Sequence, residues 1–313
     1  MSASPGPSGP APGPAAFSWP APLLMLGATL LFALMAMGVK FASREFSAAQ
    51  TVMVRGLIGL VTLGLLARAQ GLSLRTALPG MHLWRSAVGV SSLVLWYGAL
   101  GGLPLATAMT LNYTSSVWMA CFLMGGAVLT ASARIDARLF AAVLAGFAGV
   151  GLVLQPTFAQ EQLPWALAGL ASGVIAALAY LQVTALGRAG EPELRTVFWF
   201  SCACATVGLL GSLLFPVPLA QASWQGWGWL VAAGLFGTAA QLLMTAAYAR
   251  GKTLVNASLH YSGIVFATLL GWMAFGERPG GLALAGMAVI VVAGLAATRL
   301  RATVAADVKE SQE

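Results

Sequence analysis

Asn256 and His260 stand four residues apart, the spacing that puts two side chains on one helix face. An imidazole changes charge near neutral pH, so His260, the one histidine inside a predicted apolar span, is a candidate ligand contact or protonation switch. The other reading is a neutral, hydrogen-bonded packing group. Similar uncharged sets recur. Asn112 is followed one turn later by Ser115 and Ser116, Thr238 by Gln241 one turn on and Thr245 two turns on, and Tyr180 by Thr184 one turn on, while Trp96 and Tyr97 are adjacent. With Tyr113 and Tyr261 beside the first two sets, these groups can line a central cavity with amide, hydroxyl and aromatic surface. Such a cavity suits a small zwitterionic or amphiphilic ligand. The amides serve equally well as glue between helices, and Ser and Thr hydroxyls often bond only their own backbone.

Arg55 falls about eight residues into an apolar stretch, roughly 12 Å deep at 1.5 Å per residue. It either snorkels to the near surface or meets a substrate carboxylate, with helix-end carbonyls or Glu277 as further partners. Lys40 and Glu277, at the ends of apolar stretches, are candidates for gating or charge contacts. No Asp or Glu lies mid-span, so a coupled proton would need His260 or Glu277, and passive exchange is equally open. No phosphate-binding loop, nucleophile–base set, paired carboxylates or metal-ligand cluster is present, so no cofactor and no enzymatic activity are expected. Cys121, Cys202 and Cys204 read as small buried apolar side chains.

These groups are carried by an extremely apolar chain. Of 313 residues 59% are hydrophobic and 8% charged, with a mean hydropathy of +0.84, against the quarter charged of a typical soluble domain. Ten segments are long enough to cross a ~30 Å hydrocarbon core. They are about 21–41, 47–67, 84–102, 105–130, 139–155, 165–187, 196–215, 226–249, 253–275 and 281–298. Their length and lack of period-two alternation exclude a β-barrel. Small residues such as Gly169 and Gly173, four apart, offer close helix contact. The expected fold is all-α, a polytopic membrane protein of ten transmembrane helices.

Alternate gaps hold the basic residues. One side collects twelve: Arg68, Arg75, Arg85, Arg134, Arg138, Arg188, Arg195, Arg250, Lys252, Arg299, Arg301 and Lys309. The other holds three, Lys40, Arg44 and Arg278. This asymmetry puts both termini in the cytoplasm, and the net charge of +7 needs no nucleic-acid partner. The proline-rich stretch 1–20 is expected to be a disordered tail, with no cleavable signal, and 301–313 a short polar tail.

Ten spans divide into two fives, and five is odd, so duplicated halves must enter the membrane from opposite sides. A shift of 148 residues superposes Gly89 on Gly237, Ala99 on Ala247, Leu111 on Leu259 and Tyr113 on Tyr261, with Thr110 on Ser258 and Thr114 on Ser262. The expected organisation is two inverted five-helix repeats, 21–156 and 165–300, with a site near the midplane between them.

The run His260 to Pro279, ending Gly276-Glu277-Arg278-Pro279, resembles the ninth-helix signature of EamA-type members of the drug/metabolite transporter superfamily. Ala99 to Ser116 is the matching stretch of the first half, and Lys40 and Arg55 sit where many members carry basic residues. Many members have a proline midway along the fourth and ninth helices. This chain reads Ser115-Ser116 and Gly263-Ile264 there, which leaves no proline kink to gate a pathway. The resemblance implies ten helices and transport of small metabolites, often export of amino acids or related compounds. The expected function is therefore a secondary, non-ATP-driven exporter of a small metabolite in the bacterial inner membrane. An uptake carrier for a metabolite or organic cation, or a membrane-embedded lipid-modifying enzyme, are the alternatives.

Overall fold

The computed structural model describes residues 19–129, 160–216, 222–251 and 259–310, with Asn256 and single residues between 138 and 152. The tail before Trp19, most of the fifth expected span, Arg134, Lys252, Ser258 and residues 311–313 lie outside the described residues. Among the described residues every regular element is helical.

The first half contains α1 (Ala21–Ala42), α2 (Ala48–Ala69), α3 (Pro79–Gly102), α4 (Leu105–Tyr113) and α5 (Ser115–Leu129). The second contains α6 (Leu163–Arg188), α7 (Glu193–Leu214), α8 (Trp224–Arg250), α9 (Ser262–Phe275) and α10 (Gly281–Glu310). Each helix starts where its sequence dictates. Pro22, Pro79 and Pro164 occupy first-turn positions, where a missing N–H costs nothing. Pro20 caps α1, so the last proline assigned to the tail belongs to the start of the first span. Ser47 and Gln50 form a reciprocal capping box on α2, and Ser223 caps α8 by accepting the Gly226 N–H. Gly276, at φ 64°, ends α9 in the left-handed conformation open to glycine.

The halves pair α1 with α8, α2 with α7, α3 with α6, and α4 with α9. If each helix of the first half is exchanged for its counterpart in the second, α1–α8 becomes α6–α3, while α2–α7 maps onto itself. That is the pairing of an inverted repeat. At its centre α2 and α7 touch through small residues. A Cβ on Gly56 would overlap the backbone of Ala205, and one on Gly208 the backbone of Met53. Gly169 and Gly173 of α6 press on Leu111 and Thr114, as their spacing predicts.

Both central half-helix joints are present without proline. The fourth span is parted at Thr114, whose hydroxyl donates to the Leu111 carbonyl (2.6 Å). The ninth is parted at Tyr261, and Ser262 donates to Leu259 (2.7 Å). Hydroxyls that bond back to the preceding turn loosen a helix where a proline otherwise would.

The expected boundaries fail at one consequential place. α3 begins at Pro79 rather than near 84, so Arg85 lies two turns inside a span and not in a loop. His82 is also carried into the helix, so His260 is not the only histidine within a span.

Candidate functional site

A cavity of about 40 Å³ lies at the centre of the bundle, walled by α1–α4 on one side and α6–α8 on the other. At about 10–15 Å³ of such space per water it has room for roughly three waters. That is far less space than a metabolite fills.

Two arginines dominate this space. Arg55 (5% exposed) does not snorkel to the surface; it points inward, with Nη1 3.8 Å from Cys204 Sγ and Nη2 donating to the Gly237 carbonyl at 3.4 Å. Arg85 (3% exposed) comes from α3. Their guanidinium carbons stand over the same Phe200 ring, at 5.3 and 4.1 Å from its centroid.

Trp96, Asn112, Tyr180 and Gln241 line the same cavity, as expected. Trp96 Nε1 and Gln241 Nε2 are buried without a hydrogen-bond partner. Asn112 also acts as glue, since its Nδ2 donates to Ser172 Oγ on α6 at 2.9 Å. Tyr97 turns away from Trp96 towards α1, where its hydroxyl meets Met35 Sδ at 3.3 Å. Neighbours on a helix point about 100° apart, so the two never shared a face.

Behind Tyr180 is an aromatic stack at the joints. His260, fully buried, stacks on Tyr113 at 4.0 Å and meets Tyr180 edge-on at 5.4 Å; Tyr248 stacks on Tyr180 at 5.9 Å. Neither imidazole nitrogen has a hydrogen-bond partner. Ser116 and Tyr261 are buried at the joints but do not reach the cavity, and Asn256 donates to the Ala247 carbonyl at the end of α8. Asn256 and His260 therefore share a helix face without sharing a site.

The two ends of the bundle are sealed by contacts between the halves. At the Lys40 end, Lys40 Nζ lies 3.2 Å from Glu277 Oε1 and donates to the Leu103 carbonyl. Glu277 Oε2 accepts the Leu105 N–H at 2.7 Å, capping α4. Glu277 thus pairs with neither Arg55 nor Arg278. Nearby, Glu45 accepts the Ser223 amide (2.6 Å) and hydroxyl (2.8 Å).

At the Arg195 end, Glu191 accepts the Thr76 hydroxyl and pairs with Arg195 at 2.8 Å, with His82 Nε2 3.5 Å away. Burial works to raise the Glu191 carboxyl, but hydrogen bonds from Thr76 and Arg195 and the charges of Arg195 and His82 outweigh it and hold it below its usual range.

Arg85, Phe200 and Tyr248 are the site residues that the spacing argument missed. Pro79-Gly80 was the available signal for Arg85, because proline marks the first turn of a helix.

The EamA-like transporter family profile matches residues 163–299. The pseudopaline exporter CntI of Pseudomonas aeruginosa is 30% identical over 279 residues, 89% of this chain and 96% of its own length. Riboflavin transporters of Rhizobium johnstonii and Vibrio cholerae are 28% identical over 241 residues (77% of each chain) and 27% identical over 275 (86% of this chain, 90% of theirs). A crystal structure superposes with a TM-score of 0.60 at 26% identity, over 90% of this chain and 96% of its own.

Proposed function

We propose that this chain, which belongs to the EamA-like transporter family, exports a small amino-acid-like metabolite across the bacterial inner membrane by alternating access. The observation that carries this reading is a central cavity walled by both halves of the chain and sealed at each end by polar contacts that cross between them. Rocking one half against the other breaks the contacts at one end and keeps those at the other.

In this reading the Arg195 end, with most of the basic loop residues, faces the cytoplasm. Lys40 and Glu277 form part of the outer gate. Arg55, Trp96, Asn112, Tyr180 and Gln241 contact the substrate. Tyr113, Ser116, His260 and Tyr261 form the wall at the helix joints, reached when the cavity widens, and Tyr97 and Asn256 hold neighbouring helices in place. A proton enters the cycle through His260 or Glu277, or exchange is passive. Export is favoured over uptake by the name of the Pseudomonas relative, and Arg55 and Arg85 in the cavity wall disfavour an organic cation.

The test is flux in proteoliposomes loaded with labelled amino acids and related metabolites. Efflux of at least one compound, lowered by Asn112→Ala and by His260→Ala with folding intact, is the expected result. Absence of flux across a broad panel by well-folded protein overturns the transport reading. Unchanged flux in both variants overturns the cavity assignment.

A further inference from the structure

We propose that Arg55 and Arg85 form a two-point anion clamp, so that the cargo carries two acidic groups, at least one of them a carboxylate; this rests on the transporter reading above. Both guanidinium groups flank the Phe200 ring and both are at least nine-tenths buried. Removing an ion from water costs several kcal/mol unless an opposite charge compensates it. No described carboxylate does so. Glu45, Glu191, Glu193 and Glu277 are all engaged at the two ends of the bundle, with Ser223, Arg195, Arg250 and Lys40.

The polar atoms left without partners around the cavity are all donors: Arg55 Nε, Arg85 Nε and Nη1, Trp96 Nε1 and Gln241 Nε2. A ligand that satisfies them must supply acceptors, and a guanidinium fork matches the two oxygens of a carboxylate. Two fixed positive charges are neutralised by two negative ones, which favours a dianion over a monoanion in a site shielded from water. Arg55 and Arg85 come from the first half, Gln241 and Phe200 from the second. A bound dianion therefore ties the halves together, as closure around cargo requires.

A second observation points to the same pair. A Cβ at Gly89 would overlap Arg85 Nη1 and stand 3.0 Å from Phe200, and one at Gly237 would stand 2.7 Å from Arg55 Nε. Gly89 and Gly237 are the positions that match in the internal repeat. Each keeps space for one guanidinium.

The experiment uses the purified full chain in detergent and measures thermal protection and affinity with L-glutamate, succinate, inorganic phosphate, L-glutamine and L-lysine. Glutamate or succinate is expected to protect, phosphate weakly, and glutamine and lysine not at all. Arg55→Gln and Arg85→Gln are each expected to weaken dicarboxylate binding at least tenfold. Arg85→Gln without ligand is expected to unfold at a higher temperature than wild type, because a buried uncompensated charge is gone; a cation serving only structure predicts the reverse. Protection by phosphate alone, equal protection by glutamine and glutamate, or no protection by any dicarboxylate overturns the clamp. Tight carboxylate binding without proteoliposome flux keeps the clamp and removes transport. Flux of a neutral or basic compound that persists in Arg55→Gln keeps transport and removes the clamp.

Discussion

Glu191 holds the Thr76 hydroxyl across the two halves of the chain, and Glu45 holds Ser223 in the same way at the opposite end of the bundle. In each case the acid follows the first helix of its own half. The hydroxyl lies just before the third helix of the other half, where it also accepts a backbone N–H, from Leu78 or from Gly226. The inverted repeat exchanges one clamp for the other, so each end of the pathway is fastened by the same chemistry.

Removing one clamp is therefore expected to open one end only. Cys204 is fully buried against Arg55, itself a cavity residue, so its labelling reads out opening around Arg55. In a chain with Cys121 and Cys202 replaced by Ser, Glu191→Ala is expected to speed maleimide labelling of Cys204 from the Arg195 end by about fivefold or more, since losing a charged hydrogen bond of ~1 kcal/mol or more shifts an equilibrium that far. Glu45→Ala is expected to do so from the Lys40 end. Labelling in sidedness-controlled vesicles decides it, and equal acceleration from both ends by either variant refutes the paired clamps.

The Glu191 network also has a pH signature. Its carboxyl is held below its unfolded value of about 4.3 by Thr76, Arg195 and His82, against the opposing effect of burial. The group therefore adds stability above that value and loses it as pH falls through the lower folded one. Thermal unfolding between pH 7 and 3 is expected to show a smaller acid-induced drop in Glu191→Gln than in wild type. Parallel curves contradict this assignment.

The spans and the repeat were legible because apolar length and the matches Tyr113–Tyr261 and Thr114–Ser262 are local patterns. Trp96 and Gln241 were legible as polar groups in spans. Arg85 was not, because an apolar window placed the helix start after Pro79. The partner of Glu277 was not legible either. It lies on α1, more than 200 residues away, and nothing in local periodicity encodes which distant helix closes on a given carboxylate. Asn256 failed for a related reason: face-sharing with His260 fixes direction, not the neighbour met in that direction.

At the Lys40 end, Glu277 performs two tasks with separate oxygens, pairing with Lys40 through Oε1 and capping α4 through Oε2. Glu277→Gln keeps an acceptor for the Leu105 N–H and loses only the ion pair, so a loss of about 1 kcal/mol is expected. Glu277→Ala leaves both donors without it and is expected to cost about 2–3 kcal/mol. The exchange Lys40→Glu with Glu277→Lys is expected not to rescue, because a lysine cannot accept from Leu105. Chemical or thermal unfolding of the four proteins tests this; full rescue by the exchange reduces Glu277 to a simple ion-pair partner.

The joint between α4 and α9 is the last point at which size alone decides the outcome. A Cβ at Gly263 would stand 2.5 Å from Tyr113 Cε2 and 2.7 Å from its hydroxyl, and the Tyr113 ring is already stacked on His260 at 4.0 Å. Gly263 is helical, so alanine gains up to about 1 kcal/mol in propensity there. Overpacking a closed core costs about 1–3 kcal/mol. The second effect wins, and Gly263→Ala is expected to lower stability by up to about 2 kcal/mol and to slow flux by displacing the Tyr113–His260 stack. Gly228 on α8 is the internal control, because a Cβ there meets nothing within 4 Å and only the propensity gain remains. Unfolding both variants in the same detergent separates the two effects. If Gly263→Ala is stabilised as much as Gly228→Ala, the two half-helices are not in close contact through Tyr113.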